Sequence, residues 1–150
     1  MGTSLANPAE GQQSSMSRVD PDHLGKRSSS TFVEDPSGRI LFMRRTATDP
    51  WKPLKWDIPG GGVDRGETAS RAARREAREE SGISLDYLEL LTVQRMGNYA
   101  RAIFFAELPF RPRVSFPDGE HDRFLWLTPR EALKLPMIPG LKKAVRQFLL

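Results

Sequence analysis

Cysteine is absent from this 150-residue sequence, and so is any long run of hydrophobic residues. Without cysteine, the chain has neither a disulfide framework nor a thiolate metal site. No apolar stretch reaches the length of a membrane span, and the N-terminus lacks the basic and hydrophobic regions of a secretory signal. These absences favour a cytoplasmic protein that makes no membrane contact.

Aromatic residues are few, at 9% of the chain, and they show no clustering suited to stacking on nucleic-acid bases. The 23 Lys and Arg against 19 Asp and Glu give a net charge of +4, which favours anionic ligands in general. No RNA-binding module is recognisable, so we expect no specific nucleic-acid partner. The length fits a single domain with an adequate core, and a homodimer stays open.

Aromatic side chains are nearly missing from the N-terminal segment. Residues 1–27 are instead rich in Ser, Gly, Pro, Gln and Asn. Such a segment buries too little apolar surface to offset the entropy lost on ordering, so we predict a flexible, disordered tail. Strand-like patterns begin at Ser28, and we therefore predict one domain over residues 28–150.

Apolar and alternating patterns predict several strands and short helices. Two strands around the turn at 35–38 form a predicted hairpin, and a second pair flanks the turn Gly97-Asn98. The later strand of that pair is apolar on both faces, so we expect it at the centre of a sheet. The predicted elements are strands 31–34, 39–44, 87–95, 100–108 and 123–127, a short helix capped at Thr128, and a last helix after Gly140.

A glycine-rich turn followed by a helix makes residues 56–83 the most distinctive stretch, with the sequence WDIPGGGVDRGETASRAARREAREESGI. Its consecutive glycines allow the backbone to approach a ligand closely. No Pro or Gly interrupts residues 68–81, so we predict one helix there. Thr68 is its predicted N-cap, and Gly82 is the residue that ends it.

Three carboxylates share one side of this predicted helix. Glu76, Glu79 and Glu80 stand at i, i+3 and i+4, so their side chains project together. Crowded carboxylates raise each other's pKa, and a divalent cation relieves the repulsion. Oxygen ligands suit Mg²⁺ or Mn²⁺ and do not suit zinc. Taken alone, the same run also fits a solvated helix laced with salt bridges.

The wider pattern resembles the Nudix box at every specified position. Gly61 is followed by Glu67, then by Arg75-Glu76-Ala77, by Glu79-Glu80 and by Gly82-Ile83. The resemblance implies an α+β fold, an α/β/α sandwich around a mixed β-sheet. It also implies a Nudix-type pyrophosphohydrolase, which cleaves a nucleoside diphosphate linked to a further group and uses Mg²⁺ or Mn²⁺.

The resemblance assigns roles to box residues and to the glycine turn. The implied metal ligands are Glu76, Glu79, Glu80, Glu67, Gly60 and Gly61. The glycines contribute carbonyl oxygens, and Glu67 either supports the metal site or binds a second cation. Arg75 is expected to orient a box carboxylate through an ion pair. No covalent intermediate is required, because water attacks phosphorus directly.

The general base is expected on the helix or on the loop before the strand at 123–127. Glu76 is one candidate, but metal ligation would lower its pKa and its basicity. We favour Glu120, since a carboxylate there either binds a further metal or accepts the proton. In an extended segment its neighbour His121 points to the opposite face. We interpret His121 as a surface residue and keep it as the alternative base, because its unperturbed pKa is near 6.5.

Substrate contacts are expected from residues that precede the glycine turn. The resemblance implies that Arg44 or Arg45, at a strand end, faces the substrate's phosphates, although a solvated strand end fits equally. Trp51 is expected to stack on a base, with packing as the alternative. The expected substrate is a nucleoside triphosphate or modified nucleotide. Nucleotide sugars, dinucleoside polyphosphates and capped RNA stay open, as does a non-catalytic nucleotide- or RNA-binding module, which the intact carboxylate set disfavours.

Overall fold

The computed structural model describes residues 26–150. The predicted tail therefore lies outside the described residues, except for Lys26 and Arg27, which belong to the first strand. In chain order the elements are β1 Lys26–Glu34, β2 Ile40–Arg45, β3 Trp56–Asp57, β4 Gly60–Gly62, α1 Ala69–Ser81, β5 Glu89–Met96, β6 Tyr99–Glu107, β7 His121–Leu127, α2 Pro129–Ala132 and α3 Leu141–Phe148.

The strands form one mixed sheet with the order β3-β2-β1-β6-β5, in which β4 also pairs with β1 and β7 with β2. The pairing of β1 with β6 is parallel, and the other pairings are antiparallel. As predicted, the apolar strand β6 lies inside the sheet, between β1 and β5.

The predicted hairpin of β1 and β2 is present only at its closed end. The two strands pair at Glu34 and Ile40. Beyond that point β2 pairs with β3, while β1 pairs with β4. The segment that carries β3 and β4 therefore fills the gap between β1 and β2. This arrangement brings the glycine turn into the body of the sheet.

Apolar side chains cover both faces of the sheet. On one face Ala77 of α1 packs with Val33, Leu41 and Met43. On the other face Leu141, Ala144 and Val145 of α3 pack with core residues that include Phe32, Phe42, Ile58 and Ile103. This layering confirms the expected α/β/α sandwich.

The helix ends form where the sequence predicts them. Thr68 accepts a hydrogen bond from the Arg71 backbone N at 3.2 Å, and Gly82 closes α1 with a φ of 77°. Thr128 and Glu131 form a reciprocal capping box at the start of α2. Within residues 26–150, none of the helices has the length and apolar composition needed to cross a membrane.

Candidate active site

The glycine turn at Gly60 and Gly61 packs closely between β1 and α1. The backbone N of Gly60 donates to Glu80 Oε1 at 2.9 Å, which ties the turn to the helix. A Cβ at Gly60 would overlap Ser30 Oγ on β1. A Cβ at Gly61 would lie 2.5 Å from the carboxyl carbon of Glu76 on α1. Glycine is required at Gly60, because backbone atoms of Ser29 and Ser30 would also lie within 2.7 Å of the Cβ. At Gly61 an added Cβ would instead force the Glu76 carboxyl group to move.

Three carboxylates from two separate segments meet beside this turn. Oxygens of Glu80, Asp118 and Glu120 all lie within 4.8 Å of one another. Burial raises the pKa of Glu80 well above its usual value, and the nearby charges of Asp57, Glu76 and Asp118 raise it further, against a hydrogen bond from Gly60. A divalent cation would offset this repulsion with the oxygen ligands it prefers.

Arg75 connects the glycine turn, Glu67 and the carboxylates of α1. Its Nε donates to Glu67 Oε2 at 2.8 Å, and its Nη1 donates to Glu76 Oε2 at 3.0 Å and to Glu79 Oε1 at 3.2 Å. Its Nη2 donates to the Gly62 carbonyl at 2.8 Å. Arg75 thus holds three carboxylates and the backbone of β4 in one arrangement.

Glu67 and Glu79 differ from the buried Glu80 in their surroundings. Hydrogen bonds from Arg75 and from the Asp64 backbone N lower the pKa of Glu67 to about 2. Glu67 lies outside the carboxylate cluster and accepts hydrogen bonds from Arg75 with both of its carboxylate oxygens. The Glu79 side chain is half exposed, with 50% of its surface accessible, and it lines the cavity next to the cluster.

A cavity of about 550 Å³ opens over these groups. Its acidic lining includes Glu76, Glu79, Glu80 and Glu120, and its basic lining consists of Lys26, Arg27, Arg45 and Arg101. Burial raises the pKa of Glu76, although its hydrogen bond and ion pair with Arg75 act in the other direction. A cavity that presents both carboxylates and cations fits a phosphate chain bridged to the protein by a metal ion.

Arg44 and Arg45 face opposite sides of β2. Arg45 lines the cavity, donates to Asp49 at 2.7 Å and to Asp57 at 3.1 Å, and lies 5.3 Å from the ring centre of Trp51. Trp51 also lines the cavity and is 54% exposed. Arg44 instead forms an ion pair with Asp122, with Nε to Oδ1 at 2.9 Å, and does not line the cavity.

His121 is buried, so its interpretation as a surface residue was wrong. Only 3% of the residue is exposed, and it starts β7 opposite Arg45 in the pairing with β2. Burial lowers the pKa of His121, and neither ring nitrogen has a hydrogen-bond partner among the described residues. Its neighbour Glu120 is exposed and lines the cavity, whereas His121 does not.

Asp118 and Arg101 belong to the site although neither stands in the sequence motif. Asp118 precedes Gly119 in the loop before β7, and its spacing from Glu120 could have indicated a second carboxylate in that loop. Arg101 lies in a β6 stretch dominated by apolar residues and is 4% exposed. No local pattern marks it, since its position depends on the pairing of β6 with β1 and β5.

Comparisons with known proteins agree with this geometry. A model of the NUDIX domain matches residues 25–148. A Bacillus subtilis protein named "Putative 8-oxo-dGTP diphosphatase" is 32% identical over 120 residues, which cover 78% of this chain and 75% of that protein. An RNA pyrophosphohydrolase from Psychrobacter cryohalolentis is 31% identical over 106 residues, which cover 62% of this chain and 58% of that protein.

A solved structure shares the fold over nearly its whole length. The MutT NUDIX hydrolase from Burkholderia pseudomallei aligns with a TM-score of 0.68 and 25% identity, over 83% of this chain and 98% of that one. Other curated relatives are longer than the matched region. The matches cover 40% of a Nudix hydrolase from Yersinia pestis and 18% of one from Caenorhabditis elegans.

Proposed function

The chain belongs to the NUDIX domain family, and from that premise we propose that it hydrolyses a pyrophosphate bond in a nucleoside triphosphate or modified nucleotide with the help of a divalent cation. One observation carries the proposal: the oxygens of Glu80, Asp118 and Glu120 converge beside a cavity that also presents basic residues. The diphosphatase name of the Bacillus subtilis relative supports the substrate class.

The donor set fits Mg²⁺ or Mn²⁺. Glu80, Asp118 and Glu120 would hold the ion, and Glu76 and Glu79 line the cavity beside them. Every donor is a carboxylate oxygen, which these hard cations prefer. When bound, the cation offsets the negative charge of the phosphates and of the leaving group.

Glu76 is the residue that we now favour as general base. Glu120 shares a cluster with Glu80 and Asp118, so a bound cation engages its oxygens and lowers its basicity. Glu76 lies outside that cluster, lines the cavity, and has a pKa raised by burial. Arg75 and Gly61 fix its carboxylate in place, which prepares it to accept a proton from the attacking water.

Metal dependence tests the proposal directly. Hydrolysis of nucleoside triphosphates, followed by chromatography of the products, should stop in excess EDTA and return with Mg²⁺ or Mn²⁺. The variant Glu80→Gln should lose at least tenfold in kcat while its melting temperature shows that it is folded. Glu107→Gln, at an exposed position outside the cavity lining, is the control and should keep full activity. Undiminished turnover in EDTA would contradict the proposal.

Measurement of kcat at increasing cation concentration distinguishes the role of Glu76 from that of Glu120. If Glu120 is a ligand, Glu120→Gln should recover much of its kcat when the cation concentration is raised. If Glu76 is the base, Glu76→Gln should stay slow at every cation concentration, because added metal does not replace a proton acceptor. The reverse pattern would restore Glu120 as the base.

RNA with a 5′-triphosphate is the second candidate substrate. The Psychrobacter relative is named an RNA pyrophosphohydrolase, and the chain carries a net charge of +4. We expect only weak, unspecific RNA binding. A panel of GTP, ATP, a modified nucleotide, a dinucleoside polyphosphate, a nucleotide sugar and triphosphorylated RNA decides the question. A kcat/KM that is highest for RNA and falls steeply with salt would favour the RNA function.

A further inference from the structure

Arg101 is a buried guanidinium without a carboxylate partner in the described part of the chain. The residue is 4% exposed and forms none of the ion pairs found among residues 26–150. Its Nη2 donates to Gln94 Oε1 at 2.9 Å and to the Pro139 carbonyl at 3.2 Å. Its Nε is buried and has no hydrogen-bond partner among the described residues.

A buried guanidinium such as that of Arg101 destabilises the fold unless a ligand or another residue accepts its hydrogen bonds. Burial of a charge without a counterion destabilises a fold, and each buried donor that lacks an acceptor adds to the cost. Gln94 lies directly opposite Arg101 in the pairing of β5 with β6 and donates to the Gly140 carbonyl at 3.0 Å. Gln94 thus fixes one side of the guanidinium. The Nε atom has no accessible surface, so a ligand can contact Arg101 only through its other guanidinium N–H groups. Because arginine is a donor only, that ligand must offer acceptors.

Arg101 lines two adjoining cavities, from which a ligand's acceptor atoms can approach it. Next to the catalytic cavity lies a second cavity of about 500 Å³, and Trp51, Tyr99 and Arg101 line both. The remaining lining consists of Met96, Pro139 and Lys52, whose Nζ lies 5.8 Å from the ring centre of Trp51. Apart from the two cations, the wall around Arg101 is apolar and aromatic. A flat, mostly apolar group that carries acceptor atoms on one edge fits this wall better than a phosphate does.

We propose that Arg101 recognises the acceptor edge of a 6-oxopurine base, guanine or hypoxanthine, while the phosphates of the same nucleotide occupy the catalytic cavity. This inference rests on the proposed function. Guanine offers O6 and N7 as acceptors, and arginine pairs with that edge more often than with any other base edge. Adenine places an amino group where guanine has O6, so adenine leaves the guanidinium facing another donor.

The test compares kcat/KM for GTP, ITP, 7-deaza-GTP and ATP in the wild type and in Arg101→Met. In the wild type, the kcat/KM for GTP and for ITP should exceed that for ATP by about 5- to 150-fold, the range of one good arginine–guanine contact. The analogue 7-deaza-GTP, which lacks the N7 acceptor, should fall between them. In Arg101→Met the ratio of GTP to ATP should approach one, mainly through loss of GTP turnover.

Controls separate recognition from a purely structural role. Arg95→Met changes an exposed arginine on the same hairpin and should keep the wild-type ratio. Arg101→Lys keeps the charge without the planar fork, so it should lose most of the ratio while it preserves the melting temperature better than Arg101→Met. An equal loss for GTP and ATP in either folded Arg101 variant would overturn the inference, because it would mean that Arg101 holds phosphates or only supports the fold.

Calorimetric affinities for GDP and ADP keep the inference independent of turnover. Tighter binding of GDP that disappears in Arg101→Lys supports the inference even if no hydrolysis is found, in which case only the proposed function fails. Hydrolysis without any preference between GTP and ATP in the wild type overturns the inference and leaves the proposed function standing. Failure to bind either nucleotide, together with no hydrolysis of GTP or ATP, overturns both.

Discussion

Gly61 packs directly against the carboxyl group of Glu76, so a single added carbon tests the site. In Gly61→Ala the new Cβ would lie 2.5 Å from the Glu76 carboxyl carbon, and Glu76 must move. We expect kcat to fall by about 10²-fold or more, because a small displacement of a catalytic group is costly. Steady-state kinetics with a melting curve for each variant provide the measurement.

Gly62→Ala is the matched comparison for that substitution. A Cβ at Gly62 would meet no atom within 4 Å, although both glycines lie in β4. Its loss of kcat should therefore be several-fold smaller than that of Gly61→Ala. Equal losses in the two variants would show that β4 flexibility, and not contact with Glu76, makes glycine necessary.

Asp35 provides a prediction about acid stability. Burial on its own would raise the pKa of Asp35, but hydrogen bonds from Arg39, Ser37 and Arg111 outweigh it and lower the pKa to about 2. Because the folded pKa is below the unfolded value near 3.9, the carboxylate stabilises the fold above about pH 4. That stabilisation is lost as the pH falls through about 2.

The variant Asp35→Asn should flatten this dependence. Denaturant unfolding at pH values from 7 to 2 should show a free energy of unfolding that falls below pH 4 in the wild type and changes less in the variant. At pH 7 the variant should be less stable by roughly 1 to 3 kcal/mol, the range for a hydrogen-bonded charge. Parallel curves for the two proteins would exclude this role for Asp35.

Residue contacts were predictable where the box resemblance specifies them and not where packing decides them. The resemblance implied an ion pair between Arg75 and a box carboxylate, and Arg75 contacts Glu76 and Glu79. Which of Arg44 and Arg45 reaches the cavity depends on which face of β2 each occupies, and both faces of that strand are covered. The burial of His121 likewise depends on the pairing of β7 with β2, which no local sequence signal fixes.

At the scale of elements, the loop between β6 and β7 is anchored at several points before it presents Asp118 and Glu120. The backbone N of Ser115 donates to the Ser81 carbonyl at 3.1 Å, and that of Asp118 donates to the Glu79 carbonyl at 3.2 Å. Arg111 Nε donates to Asp35 Oδ2 at 2.7 Å. The loop is therefore joined both to the end of α1 and to the turn between β1 and β2.

Arg111→Met should loosen this loop without a change to any carboxylate. We expect a stability loss of about 1 kcal/mol, because Arg111 is partly exposed. The cation concentration needed for half-maximal activity should rise several-fold, since Asp118 and Glu120 are held less firmly. Arg113→Met, at an exposed position in the same loop, is the control. An unchanged metal titration in Arg111→Met would show that the other anchors suffice.

Elements were predicted well where their signals are local. Thr68, Gly82 and the uninterrupted run between them specify α1, and Thr128 with Glu131 specifies the start of α2. The partners of each strand were not predicted beyond the hairpins. The insertion of β3 and β4 between β1 and β2 places Ile58 in the core beside residues such as Phe32 and Ile103, a contact between segments distant in sequence.

The whole chain carries a further prediction, about the N-terminal boundary. The composition of the N-terminal segment predicts a flexible tail, whereas Lys26 and Arg27 pair with Tyr99 and Ala100 and line the cavity beside the carboxylate cluster. Deletion of residues 1–25 should leave the melting temperature and turnover nearly unchanged. Deletion of residues 1–27 should lower kcat/KM, because it removes two cations from the cavity and shortens β1.

These two truncations distinguish a tail from a functional segment. Melting curves and steady-state kinetics on both proteins, beside the full chain, provide the comparison. A large loss on removal of residues 1–25 would mean that the N-terminal segment contributes to the fold or covers the site. Identical behaviour of the two truncated proteins would mean that Lys26 and Arg27 contribute little to substrate binding.

The parallel pairing of β1 with β6 also sets the order in which the protein matures. Lys26 pairs with Tyr99 and Glu34 with Glu107, so each pair joins positions 73 residues apart, the difference between 99 and 26. During synthesis on a ribosome, β1 emerges before β6, so the backbone groups of β1 at first lack their hydrogen-bond partners in β6. Contacts of such long range form slowly, because a large loop must close first. Asp118 and Glu120 follow β6 in the chain, so the carboxylate cluster with Glu80 forms only after β6 has been synthesised.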